Sequence, residues 1–413
     1  MIVVPLLVLG LLGFAQLART TGRGDPVTPP CPTETAPDVG IGDQGGAHWK
    51  EMSPSGLCGR YHAATAWTGT ELLVWGGENC AGASCPTIEA PHLADGAAYN
   101  PANDAWRKLA ASPLSKRTPA ATAWTGTEMV VWGGVNEDGF LGDGAAYNPA
   151  RDAWRPIAAS PLAPRNAVMS AWTERELVVW SGGDLDEGFP DGAAYDPAAD
   201  RWRAIAEAPI GRRAGGYVAW TGREMVVWGG VEPKAGVEFR DGAAYDPAAN
   251  RWRPIAGAPI DGRADAASVW TGRELLVWGG TTVDSTSLFA DGAAYDPATD
   301  RWRRLPNAPL SARMDPGALW SGREVLLWGG IGLPSGGGGA LDRVIEPRTF
   351  LVPIADGAGY DPATNRWRPL EPVPLVGRGM PITAWDGRGM LLWGGLVVVS
   401  SPASSAEGVR YTP

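Results

Sequence analysis

Tryptophan sets the limits on what this chain can fold into. It occurs 21 times in 413 residues, and all 21 fall into one triplet used seven times. One series comprises Trp67, Trp124, Trp172, Trp220, Trp270, Trp320 and Trp385. A second precedes Gly-Gly or Ser-Gly-Gly: Trp75, Trp132, Trp180, Trp228, Trp278, Trp328 and Trp393. The third is Trp49, Trp106, Trp154, Trp202, Trp252, Trp302 and Trp367. A unit recurring this often has to bury its apolar face against copies of itself. Each indole removes on the order of 150–250 Å² from water when buried. With only six Phe and nine Tyr, the core between units has to be built from these rings.

The repeat is 48 residues from Trp132 to Trp180 and 50 from Trp228 to Trp278. Residues 117–158 read as four short strands. The run AATAW ends at the turn TGTE, where Gly126 supplies a positive φ at little cost. MVVWGG is continuously apolar, as befits a strand covered on both faces. GAAYNP forms a third strand, and the turn PARD leads into AWRPIA, the fourth.

Three local features resemble the kelch family. They are the Gly-Gly after an apolar run, the Tyr of GAAYDP, and a Trp seven positions later, as in Tyr147/Trp154 and Tyr295/Trp302. The form AWTGxExxVWGG is most similar to exported kelch proteins of bacteria, and the likeness covers residues 44–413. It implies an all-β fold: a seven-bladed kelch-type β-propeller with four-stranded blades. The last copy is split. EGVRYTP places Tyr411 at the tyrosine position, and the chain ends two residues later. AHWKEMSP, near the N-terminus, aligns with DAWRKLAASP through Trp49. The strand around Trp49 is therefore expected beside that of Tyr411, closing the ring and removing two sheet edges.

Residues 1–18 are apolar and read as a signal peptide or an N-terminal membrane anchor, although no Lys or Arg precedes them. Residues 19–43 are rich in Pro, Thr and Gly and read as a flexible linker. The expected location is outside the cytoplasm of a bacterium: secreted, periplasmic or anchored to the envelope. The cysteines Cys31, Cys58, Cys80 and Cys85 are an even set behind an export signal, which suggests disulfides. Three connectivities are open; Cys80–Cys85 with Cys31–Cys58 is favoured because it braces one loop and ties down the linker. Their spacing is a poor zinc pattern. A net charge of −10 and a pI near 5.0 argue against a nucleic-acid partner.

Strand order sorts the loops. Turns between strands one and two, and three and four, are short and share one face. The loops between strands two and three vary: residues 135–142 in one unit, 78–94 and 331–355 in others. Variable loops on a rigid frame are where binding resides. Seven positions before each first-series Trp stands an arginine: Arg60, Arg117, Arg165, Arg213, Arg263, Arg313 and Arg378. These begin the innermost strands and would ring the channel mouth. They are expected either to cradle an anionic ligand, with Tyr61, or to bond loop carbonyls and carboxylates. Phe140, Phe189, Phe239, Phe289 and Phe350 lie in the variable loops, as plugs over the blade ends or as a partner-binding rim. Behind the arginines the pattern breaks. His62, Asp265 and Asp315 are the titratable groups at that second offset, where they could form an acid–base pair, a cation site, or salt bridges to the ring. The acidic loop with Asp184, Asp186 and Glu187 matches no spaced calcium motif.

Kelch propellers include galactose oxidase, a copper enzyme, and a sialic acid epimerase. The copper site needs paired histidines, and the only histidines here are His48, His62 and His92. The epimerase has six blades, and none of its catalytic residues carries over. No cofactor or metal is expected. The first expectation is a monomeric, non-catalytic exported scaffold that binds a protein or glycan through the variable loops and the arginine-lined mouth. The other is a carbohydrate-active enzyme of epimerase or lyase type using Asp265, Asp315 and His62. Geometry separates them: carboxylates open to the channel without arginine partners favour the enzyme.

Overall fold

The computed structural model describes residues 48–79, 91–183, 188–232, 234–333, 343–344, 351–373, 375–398 and 402–413. The N-terminal segment and linker, Cys31, Cys80, Cys85, Phe350 and the loop of Asp184, Asp186 and Glu187 lie outside them. Among the described residues there is no helix, and seven antiparallel sheets have four strands each. This all-β arrangement is compatible with a β-propeller. We number the sheets by the chain position of their first strands: Ala64–Trp67, Ala121–Trp124, Met169–Trp172, Tyr217–Trp220, Ala267–Trp270, Gly317–Trp320 and Ile382–Trp385. Sheet two continues with Met129–Asn136, Gly139–Asn148 and Ala153–Pro156, the four runs read from sequence. Sheet seven takes its fourth strand from the other end of the chain. Trp49–Glu51 pairs with Gly408–Tyr411, Trp49 opposite Tyr411.

Burial explains the strand patterns. Second strands such as Leu177–Trp180 are buried at every position, because sheets cover both faces. The second-series tryptophans are completely buried. Each of six packs on the third-series ring of the following sheet, as Trp132 does on Trp202 at 5.5 Å between ring centroids. Trp393 of sheet seven makes the same contact with Trp106 of sheet one, at 5.4 Å. The three series are not buried alike. The first series, and the third series apart from Trp49, are half-buried. In the third series the indole N–H meets a backbone carbonyl. Trp154 Nε1 donates to Ala110 O at 3.0 Å, in the linker from the preceding sheet. Trp106 Nε1 donates likewise to Ser53 O at 2.9 Å, just after the N-terminal strand.

On the face of the short turns a second latch joins neighbouring sheets. Tyr147 donates its hydroxyl to Asp152 Oδ1 at 2.6 Å, and that oxygen also accepts Ala110 N–H at 2.9 Å. Arg107 of sheet one holds Glu71 through two bonds of 2.9 and 2.6 Å and donates to Tyr147 OH of sheet two at 3.0 Å. The full burial of one tryptophan series and the half-burial of another give a stability test. Trp132→Ala should cost about 3–5 kcal/mol, as large-to-small core changes do. Trp124→Ala should cost roughly half as much, read from chemical denaturation midpoints. Equal losses would contradict the division of roles.

Candidate functional site

The seven arginines are built into the loops rather than presented by them. All are buried, at 2% exposure or less. Arg213 shows the pattern. Its Nε donates to Gly211 O at 2.9 Å, and its Nη1 to Gly229 O at 3.1 Å and to Asp241 Oδ1 at 2.8 Å. Asp241 is the Asp of the Asp-Gly that opens the third strand. The equivalent pairs are Arg60–Asp95, Arg117–Asp143, Arg165–Asp191, Arg263–Asp291 and Arg313–Asp356, all between 2.6 and 2.9 Å. Arg378 instead meets Glu407 at 3.6 Å and Ser405 Oγ at 3.2 Å. Burial drives Arg378 down to about 10, against the raising effect of Glu407. Such guanidinium groups are spent inside their own sheets and form no open anion cradle.

The phenylalanines complete the clamp. The guanidinium carbons of Arg165, Arg213 and Arg263 lie 4.3, 4.1 and 4.3 Å from the ring centroids of Phe189, Phe239 and Phe289. This is cation–π geometry. Phe289 is buried, and Phe140, Phe189 and Phe239 are half-buried. Phe189, Phe239 and Phe289 thus pack on the clamped arginines of their own sheets.

With the arginine fixed, the next residues have little freedom. The residue after each arginine bridges to the third residue beyond the second-series Trp: Tyr61 to Glu78, Thr118 to Val135, Ala264 to Thr281, Met314 to Ile331. The close approach is possible because of the Gly-Gly. A Cβ on Gly230, at φ +90°, would lie 2.9 Å from Ala214 O. The chain then turns through a left-handed residue. His62, Ala167, Asp265, Asp315 and Met380 have φ between 51° and 54°, and Gly215 63°. Outside glycine this conformation costs on the order of 1 kcal/mol or more. Backbone bonds tie these corners together across sheets. Asp315 N–H donates to Asp265 O at 2.8 Å, and Met380 N–H to Asp315 O at 3.0 Å.

The corners bring His62, Asp265 and Asp315 within electrostatic reach of one another. Neither carboxylate has an ion-pair or side-chain hydrogen-bond partner among the described residues. Both side chains are half-buried: water still reaches them, although protein surrounds them on nearly every side. Burial raises Asp265 to about 6, with the charge of His62 opposing. Burial, and then the charge of Asp265, raise Asp315 well above the usual carboxylate range. Two such groups in one enclosure favour sharing a proton.

Sequence reasoning missed Glu78. It stands where the other sheets carry Val135, Gly183, Val231, Thr281, Ile331 and Leu396, so the same alignment that singled out His62 could have found it. Its Oε1 lies 3.6 Å from His62 Nδ1 and accepts the Thr118 hydroxyl at 2.5 Å. Burial alone would raise Glu78; contact with His62 and then Thr118 outweighs it and holds the group at about 2. Burial likewise opposes a charged His62, but Glu78, Asp315 and Asp265 together raise it above its ordinary value. Tyr61 is buried edge-on to His62, with ring centroids 5.0 Å apart. Tyr217, also buried, donates to Arg263 O at 3.1 Å and accepts Ala266 N–H at 3.0 Å, bracing the Asp265 corner. Among the described residues no three His, Cys, Asp or Glu side chains assemble into a metal-holding group. Cys58 is half-buried, and its three possible cysteine partners lie outside the described residues.

No protein-family model matches this chain, and no curated protein matches it. Among solved structures it is similar to the structure of YjhT, at 18% sequence identity and a TM-score of 0.55. The match covers 74% of this chain and 97% of that one. At that identity the likeness carries the fold alone. The folded state holds protons on Asp265 and Asp315 more tightly than the unfolded chain does. Stability from this source is present at low pH and is lost as pH rises from about 4 through about 6 and beyond. Glu78 has the opposite sign: its contribution is present above 4.5 and is lost as pH falls toward 2. Asp315→Asn should therefore raise the melting temperature at pH 7.5 by roughly 2 °C or more, and the gain should vanish at pH 4. A variant less stable than the parent at both pH values would contradict this assignment.

Proposed function

We propose that this chain is an exported, seven-bladed kelch-type propeller whose channel mouth is an acid–base site for a small polyhydroxylated solute, of epimerase or lyase type. Seven blades and a closed ring are supported by the contacts between sheets seven and one, which match those between the other neighbours. The observation that carries the functional reading is the pair Asp265 and Asp315. Among the described residues they have no ionic partner, while the arginine two residues before each is engaged elsewhere. A scaffold gripping a protein or glycan would draw on those arginines and on the loop phenylalanines, and both sets are used internally.

Acid–base work needs two groups in opposite protonation states at one pH. Above about pH 6 Asp265 is the group ready to accept a proton, while Asp315 keeps one to donate. His62, whose protonated form Glu78 favours, offers a second donor. Together they could remove a proton from one sugar position and return it at another. Saturation-transfer NMR of the full chain with a panel of free sugars, followed by deuterium wash-in from D₂O, tests the reading. One sugar should bind and acquire deuterium, and Asp265→Asn should slow the exchange about 100-fold or more while leaving the fold intact. The reading fails if no sugar binds, or if Asp265→Asn and Asp315→Asn exchange as fast as the parent.

A further inference from the structure

The charge balance of the mouth identifies the solute more narrowly; this step rests on the reading that the mouth binds a small polar solute. The positive groups nearest the two carboxyls are already committed. Arg263 precedes Asp265 by two residues, but its guanidinium points away into Asp291 Oδ1 at 2.8 Å and the Gly279 carbonyl at 2.9 Å. Arg313 stands in the same relation to Asp315 and is held by Asp356 Oδ1 at 2.6 Å and by Gly329 O at 3.0 Å. The remaining cation, His62, is matched by Glu78 at 3.6 Å, itself fixed by Thr118. Among the described residues each of these positive groups thus has its own negative one, and Asp265 and Asp315 are left without a counter-ion.

The other corners at this level are Pro119, Ala167, Gly215 and Met380, which bring no charge. An enclosed carboxyl pair with no cation of its own is costly unless a ligand supplies the charge. Two corners joined by the 2.8 Å backbone bond between Asp315 and Asp265 hold the pair in register for one small donor group. An ammonium has three N–H donors and no acceptor, which suits two carboxyls at once. A carboxylate or phosphate would instead meet repulsion.

We propose that the mouth selects a solute bearing a primary amine, such as an amino sugar, with the ammonium seated between Asp265 and Asp315. His62 is then left to hydrogen-bond a hydroxyl of the same molecule.

Calorimetric titration of the full chain at pH 7.5 with glucosamine, glucose and N-acetylglucosamine tests this. Glucosamine should bind at least about tenfold tighter than either neutral sugar, the scale expected for one enclosed charge pair. Asp315→Asn and Asp265→Asn, each checked for an unchanged melting profile or a higher one, should erase the preference. If glucose or N-acetylglucosamine binds as tightly as glucosamine, the amine assignment is overturned while the mouth remains a sugar site. If none of the three binds, the amine assignment falls. If, in addition, the wider sugar panel also fails, the acid–base reading falls with it.

Discussion

The clamp of a buried arginine on the Asp-Gly aspartate of its own sheet is the interaction on which the rest depends. It recurs with aspartate in six sheets and with glutamate in the seventh. A guanidinium taken out of water needs its charge and most of its N–H donors matched, and losing one partner of such a pair costs about 3–5 kcal/mol. The clamp meets that need with one carboxylate and several carbonyls. In doing so it fastens the start of the first strand to the end of the second and the beginning of the third. The loops can then vary in length without the corners moving.

That fixed frame is why a few side chains can carry chemistry. Each clamp is followed by a bridging residue and, in every sheet but the second, by a left-handed corner. Where the corner is Gly215 the conformation costs little. Where it is Ala167 or Met380 it carries strain and no polar group. At His62, Asp265 and Asp315 the same strained corner carries a titratable group into an enclosed space. Residues that cost stability twice, through backbone and through desolvation, mark a place where the fold is subordinate to a site.

The sequence made the frame legible because the frame is periodic. Four strands in residues 117–158, the pairing of Trp49 with Tyr411, and the arginine before each first strand follow from spacing alone. What periodicity concealed was direction. Asp-Gly was visible as a strand opening, but nothing in one sequence says that its carboxylate turns toward an arginine 26 to 43 residues away. The offset of Phe189, Phe239 and Phe289 before that Asp-Gly was equally visible, and the partner under each ring was not. The carbonyls that the third-series indoles reach lie in linkers between sheets and carry no sequence signature. Glu78 was overlooked because its position was read as loop, although it is the third residue after Trp75.

The account turns on whether Asp265 and Asp315 behave as one enclosed, proton-sharing pair. Carbon-13 NMR of the side-chain carboxyls, assigned through Asp265→Asn and Asp315→Asn, reads this directly. The account predicts two linked steps: one near pH 6 and one higher, with the remaining group titrating as a single step when its neighbour becomes Asn. Two independent titrations near pH 4, each indifferent to the other substitution, would contradict it.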